Sequence, residues 1–383
     1  MSRKLRIRPS VLALVCVPVS GLLSANAGEF KFPVQMAEMS PFGLWDASLS
    51  IRTSGGFNSN PSLAYLEEFR QPAPFFEYGG DLMLIRAPTD NNSVYVFLSG
   101  DDRRYFNVEE VPGQQNFLSQ FRFEHESPTW WSAGGNLTWM YLNQVLDLSN
   151  FDTGVGTAQV TGQTVILRPE FSARLGTNWV LTLEVPLMRQ GFSEPADGFF
   201  EVGSQLLLTR QLGRDSTVSL GYSWVWRPYD SSPLLTPGGE IIPGTLERLR
   251  YNSVNGRWQH FWGRDRQWRT TVFSGFIAAR DNGLGYYDYN RYRVGGSVQF
   301  RRGRWRVMVE GGVQWYDYIE QTKAPEETDL RERQEYNLGL EMGFEVNRRI
   351  RWLVRFTWDD SVANIPQDTY NAKVASTGFE FEF

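Results

Sequence analysis

The sequence predicts an all-β fold: a transmembrane antiparallel up-and-down β-barrel of about sixteen strands, with fourteen as the lower count and both termini periplasmic. Three observations predict it. Long segments alternate apolar and polar residues one by one. Short turns of Gly and charged residues alternate with long connectors. The last alternating segment stops on an aromatic residue, Phe383.

The alternation is clearest in the second half. Tyr292, Val294, Gly296, Val298 and Phe300 share one face, with Arg293, Gly295, Ser297 and Gln299 between them. Trp305, Val307, Val309, Gly311, Val313 and Trp315 repeat the pattern around Arg306, Glu310 and Gln314. So do Tyr336 to Phe344, Trp352 to Trp358, Val218 to Trp226 and Val165 to Ala173. Period two means a strand with two unlike faces. These segments run to about ten to fourteen residues. Soluble strands average about five or six, whereas a tilted strand needs roughly nine to eleven to cross a bilayer.

The predicted strands lie near 44–57, 75–86, 92–103, 115–126, 133–146, 162–174, 178–188, 199–211, 216–227, 249–261, 267–280, 290–300, 304–316, 334–345, 350–359 and 369–383. The tenth, with Asn252, Asn255, Arg257 and Gln259, is unusually polar, and the eleventh is ambiguous. Short turns fall at Leu212–Asp215, Gly263–Arg266, Arg301–Arg304 and Asn347–Arg349, and long connectors at 58–74, 228–248 and 317–333. Short periplasmic turns and longer outer loops are the usual asymmetry of outer-membrane barrels.

The first residues read as an export signal. Arg3, Lys4, Arg6 and Arg8 precede an apolar stretch from Val11 to Leu23, and Ala25-Asn26-Ala27 fits a cleavage site. This divides the chain into a signal over 1–27, a short leader over 28–43 and a barrel over 44–383, located in the bacterial outer membrane. The single cysteine, Cys16, falls within the signal, so the mature chain has no disulfide, thiolate metal site or thiol nucleophile. Mean hydropathy is −0.38, yet aromatics make up 15% of residues. Alternation cancels in a window average, so a polar mean fits membrane strands. Net charge is −5 and Lys occurs only at 4, 31, 323 and 373, with no nucleic-acid-binding pattern.

A spanning sheet must close, because hydrocarbon satisfies no backbone group. The last strand carries Ala375, Thr377, Phe379, Phe381 and Phe383 on one face and Ser376, Glu380 and Glu382 on the other. Its Phe379, Phe381 and Phe383 resemble the signal read by the outer-membrane assembly machinery. Trp179, Trp224, Trp226, Trp305, Trp315, Trp352 and Trp358 form the expected aromatic girdle, each ring placing one polar N–H at headgroup level.

The opposite face carries the candidate functional residues: Asp46, Arg52, Asp81, Arg122, Glu124, Arg168, Glu170, Glu184, Arg293, Glu310, Glu341, Arg355, Glu380 and Glu382. So many charges line water or pair with one another, since dry isolated charges are costly. A barrel of this size is wide enough for an aqueous channel. The expected function is passive diffusion of small hydrophilic solutes, with no cofactor and no metal. Catalysis is not expected. His125 and His260 fall at the ends away from the long loops, and the Asp101-Asp102 pair has no histidine on its side. Asp147 and the Asp152-Thr153-Gly154 stretch do not have EF-hand spacing.

Gly56-Phe57-Asn58-Ser59-Asn60-Pro61, at the end of the first strand, resembles a Gly-Tyr-Asp-Ser-Asn-type segment at the same place in a group of outer-membrane barrels. The group includes the β-barrel porin 2 family and barrels of exopolysaccharide or surface-protein export. The resemblance implies a second function, a barrel component of exopolysaccharide or surface-polymer export. Many of those relatives carry periplasmic repeats before the barrel, and this chain has none. Partners expected are outer-membrane lipid and lipopolysaccharide, the assembly machinery during insertion, and a second copy in a homo-oligomer.

Overall fold

The computed structural model describes residues 45–383 apart from 90, 148–156, 194 and 325–326, with no side chains described at 87–89. The signal and leader expected over 1–43 lie outside the described residues. Sixteen long strands form one antiparallel sheet that closes on itself. They are β1 (Trp45–Asn58), β2 (Ala73–Thr89), β3 (Asn92–Tyr105), β4 (Gly113–Glu126), β5 (Trp131–Asp147), β6 (Thr157–Arg174), β7 (Trp179–Glu184, continued by Leu187–Phe192), β8 (Phe199–Leu212), β9 (Ser216–Pro228), β10 (Arg248–Trp262), β11 (Trp268–Arg280), β12 (Tyr289–Arg302), β13 (Trp305–Thr322), β14 (Leu330–Glu345), β15 (Ile350–Ala363) and β16 (Tyr370–Glu382). Each pairs with its sequence neighbours. Closure is made by β1 with β16, in register from Ser50↔Glu382 to Asn58↔Val374. The Phe383 amide adds one more bond, donated to Leu49 O at 2.9 Å.

Alternation puts the large apolar side chains on one face. Leu49, Ile51, Phe121, Phe123, Leu137, Val165, Leu167, Leu206, Leu220, Val272, Val309 and Leu340 are all exposed. A soluble core would bury them, so this is the outside of a membrane barrel. Trp179 and Trp305 begin their strands and Trp352 is the third residue of β15. Trp224, Trp226, Trp315 and Trp358 lie in the halves nearer the long connectors. Trp305 to Trp315 is ten residues, roughly 33 Å along a strand. At ~45° of tilt this spans about 25 Å of height, the thickness of an apolar belt.

The polar tenth strand is a true strand because its polar groups pair across the ladder. Ser253 Oγ meets Ser223 Oγ at 2.6 Å, and Asn252 Oδ1 accepts the Tyr222 hydroxyl at 2.9 Å. β11 pairs with both neighbours along its length, giving sixteen strands rather than fourteen.

Three expectations are corrected. β13 and β14 run on to Thr322 and from Leu330, so most of the predicted connector 317–333 is strand. Likewise 157–161, predicted as loop, opens β6. At the ends of β13 and β14 buried tyrosine and arginine side chains, Tyr316, Tyr318, Arg331 and Arg333, face inward, which hid the continuation there. β7 extends past the predicted end at 188 to Phe192, after a break at Val185-Pro186. Pro186 has no N–H to give the ladder, and the break faces Pro169 of β6, whose carbonyl accepts the Val185 amide at 3.1 Å.

The Gly56–Pro61 segment closes the long-connector end of the seam. Asn60 is fully buried. Its Nδ2 donates to Ala64 O at 3.0 Å and Asn371 O at 3.1 Å, and its Oδ1 accepts the Ala64 amide at 2.9 Å. Ser59 donates its amide to Lys373 O, and its Oγ accepts the Lys373 amide. A Cβ at Gly56 would collide with Ala375 O and the Phe75 ring. The motif therefore ties the first loop to the last strand. Asn60→Ala leaves buried backbone groups unpaired and should cost about 2–3 kcal/mol. It should lower the temperature at which the barrel loses its compact electrophoretic form; an unchanged temperature would contradict this role.

Candidate functional site

The inward face is built by the residues that alternate with the apolar belt. Its ion pairs lie along the wall, between adjacent or next-but-one strands. Arg52 of β1 pairs with Asp81 of β2 and, at 3.0 Å, with Asp101 of β3; Ser99 Oγ donates to Asp81 at 2.6 Å. Arg122 of β4 lies 3.4 Å from both Glu124 and Glu170. Arg168 of β6 is 3.6 Å from Glu184 of β7. Arg355 pairs with Glu341 at 3.2 Å, and Arg351 with Glu380 at 3.1 Å and Glu382 at 2.5 Å. Arg293 stacks 4.4 Å over the Phe273 ring, and Glu310 lies against Gly339. Asp46 is exposed near the short-turn end. Of the fourteen candidates, all but Asp46, Arg293 and Glu310 thus make an ion pair that hugs the wall.

The long-connector end differs. There Asp147 of β5 pairs with Arg333 of β14, 186 residues away and on the opposite wall. Arg333 also meets Glu335 at 2.7 Å. Arg331 pairs with Asp368 at 2.6 Å and lies 4.6 Å over the Tyr318 ring. Arg227 pairs with Glu201 at 2.8 Å, between the rings of Phe199 and Tyr251. Tyr229, Tyr251, Tyr286, Tyr287, Tyr289, Tyr316 and Tyr318 pack into one buried cluster with Leu235, Leu249 and Ala279. A short hairpin, Leu234–Leu235 with Ile241–Ile242, lies in the 228–248 connector and contributes Leu235. From the other side, Val145 packs with Ala73, Phe75, Tyr105, Val108 and Val111. The lumen is thus narrowed at this end by a packed layer of tyrosines and paired arginines, and the end of β5, from Val145 to Asp147, is part of it.

Sequence reasoning missed this layer. Arg331, Arg333 and Tyr318 fall in the predicted connector 317–333, and Tyr286, Tyr287 and Tyr289 between the predicted strands 267–280 and 290–300. The usable signal was density: Tyr286-Tyr287-Asp288-Tyr289 and Tyr316-Asp317-Tyr318 are inward-capable rings concentrated at neighbouring strand ends.

Two carboxyls in the connectors bear on pH. Partial burial opposes ionisation of Asp197, but four donors from Ser231 and Ser232, at 2.7 to 2.9 Å, hold it below the usual carboxylate value. Glu247 behaves oppositely: burial, then the nearby Asp281, push it well above the ordinary value, against the pull of Arg227. An acid raised on folding contributes full stability below its unfolded value of 4.5 and loses it as pH rises through the folded value. Glu247→Gln should therefore slow hydrogen exchange over 228–248 relative to the parent at pH 8. Equal exchange at that pH would mean that Glu247 carries no such penalty.

The enzyme-like features do not assemble. Asp101 faces inward to Arg52, whereas Asp102 faces outward to Tyr78 Oη at 2.6 Å and Arg104 at 2.8 Å, so the acid pair is split across the sheet. His125 and His260 both lie at short-turn ends, on the outer face among tryptophans. Their ring centroids are 5.4 Å from Trp131 and 4.1 Å from Trp262 respectively. His260 Nδ1 is 2.5 Å from Ser216 Oγ. Among the described residues there is no cluster of His, Cys, Asp and Glu suited to a metal ion. Asp147 is committed to Arg333, and Asp152 to Gly154 lie outside the described residues.

A closed barrel, apolar outside and charged inside, is a membrane-spanning β-barrel protein. No protein-family model and no curated protein matches the sequence. Solved structures with a similar outline include Pseudomonas aeruginosa OpdQ, with TM-score 0.47, 9% identity and 88% of this chain against 98% of that one. Acinetobacter baumannii OccAB3 has TM-score 0.47, 9% identity and 88% against 99% coverage. A bacterial polysaccharide outer membrane secretin has TM-score 0.45, 11% identity and 88% against 98% coverage.

Proposed function

We propose that the chain is a bacterial outer-membrane channel for passive diffusion of small hydrophilic solutes. The short turns face the periplasm and the long connectors the exterior. The observation that carries the reading is the wall-hugging arrangement of the inward charges. Pairs that reach only to adjacent or next-but-one strands leave the middle of a wide lumen to water, and sixteen strands make it wide enough. The packed layer at the long-connector end then acts as the size filter, and the fourteen inward charges as the polar lining. The likeness to β-barrel porin 2 proteins rests on the Gly56–Pro61 segment and on the barrel architecture, and that segment has a structural task here at the seam. Purified protein in liposomes should admit small neutral sugars and amino acids, with swelling rates falling steeply with solute size. No swelling with any solute, for protein shown to be inserted and folded, would refute the reading.

A further inference from the structure

The short-turn rim is electrically lopsided. Four consecutive short turns, between β8 and β9, β10 and β11, β12 and β13, and β14 and β15, carry Arg214, Arg264, Arg266, Arg304, Arg348 and Arg349, all exposed. Arg302, the last residue of β12, adds another exposed guanidinium. The acids within these turns are Asp215 and Asp265, and Asp215 is held by Arg266 at 2.8 Å. On the other arc the short turns at 127–130 and 175–178 hold no Lys or Arg; the exposed strand-end arginines there are Arg86 and Arg174, and Arg174 pairs with Glu126.

Directly beside the basic turns stands the apolar half of a lipid site. Trp268 and Phe300 pack with centroids 4.5 Å apart, and Trp305 and Phe344 at 4.7 Å. Arg302 is the register partner of Trp305, and Trp352 that of Phe344, so guanidinium and rings share the outer face. We propose that this arc, from β8 to β15, binds the headgroups of anionic glycerophospholipid in the leaflet at the short-turn end. Acyl chains lie on the rings and phosphates on the arginines. The basic residues are all arginine, whose planar fork matches phosphate oxygens in pairs. Anionic rather than zwitterionic lipid fits because the exposed cations outnumber the acids beside them, so the arc gains most from a headgroup with uncompensated negative charge. An acidic protein partner would find the same charges, but nothing about it would call for two exposed ring pairs among the basic turns. The inference needs only a membrane-spanning barrel: a barrel that conducts nothing would bind the same lipid.

The test is native mass spectrometry of the folded barrel released from micelles holding equal amounts of phosphatidylglycerol and phosphatidylethanolamine. The parent should retain phosphatidylglycerol at least fivefold over phosphatidylethanolamine. Arg302→Gln/Arg304→Gln/Arg348→Gln/Arg349→Gln should abolish the preference, while the four Lys replacements should keep part of it. The four Lys replacements preserve charge and provide a folded comparison should the Gln variant fail to fold. Equal retention of the two lipids by the parent, or an undiminished preference in both variants, would overturn the proposal.

Discussion

Replacing Arg333 with Met should raise the rate of solute entry into liposomes several-fold. Arg333 is completely buried and bridges opposite walls of the barrel through Asp147, with Glu335 on its other side. Removing one member of a buried pair costs about 3–5 kcal/mol, because the remaining charge is left without its partner. Two backbone ladders hold β14 in place, so this cost falls on the contact that only side chains make: Asp147, at the end of β5, against Arg333 on the far wall. A shift of about 3 kcal/mol is roughly a hundredfold in the ratio of released to docked strand end. Asp147→Asn should act in the same direction. An exchange of the two residues, Asp147→Arg with Arg333→Asp, should return part of the barrier. If Arg333→Met and Asp147→Asn barrels fold normally and swell at the parental rate, the cross-lumen bridge does not limit passage.

The second large effect is expected from the carboxy terminus. Deleting Phe381 to Phe383 removes the register pairs of Phe381 with Ile51 and Ile350, that of Glu382 with Ser50, and the Phe383 amide bond to Leu49. It opens the β1–β16 seam at the short-turn end. Each backbone group left unpaired in hydrocarbon costs several kcal/mol, so the truncated chain should not persist in the membrane. We expect more than a tenfold fall in heat-modifiable protein in the outer-membrane fraction, against a modest fall for Phe383→Tyr, which keeps an aromatic end. Equal levels of the truncated and parental proteins would show that the terminal pairs neither close nor direct the barrel.

Most of the fold was legible because alternation encodes both the strand and its faces. Tyr292 to Phe300 and Trp305 to Trp315 pair in the predicted strands, with apolar residues outward. The ends were less legible. Alternation marks a lipid face, and above the belt no lipid selects it; Arg331, Arg333 and Tyr318 lie in strands yet fall in the predicted connector 317–333. The break at Val185-Pro186 escaped notice because Pro169 and Pro186 lie far apart in sequence and meet only through the ladder. For the inward face, the sequence supplied the residues but not their pairing. Arg52 with Asp101 and Arg122 with Glu170 come from strands two apart, which only the register brings together. Asp101 and Asp102 show the reverse case: neighbours in sequence, they part to opposite sides of the sheet.

The central claim is that water and small solutes pass along the charged inner face. Single-channel recording of the purified wild-type barrel in a planar bilayer tests it most directly. The account predicts discrete conductance steps that grow when Arg333 is replaced by Met. A flat trace from both proteins, with insertion verified by protease protection and heat-modifiability, would contradict it.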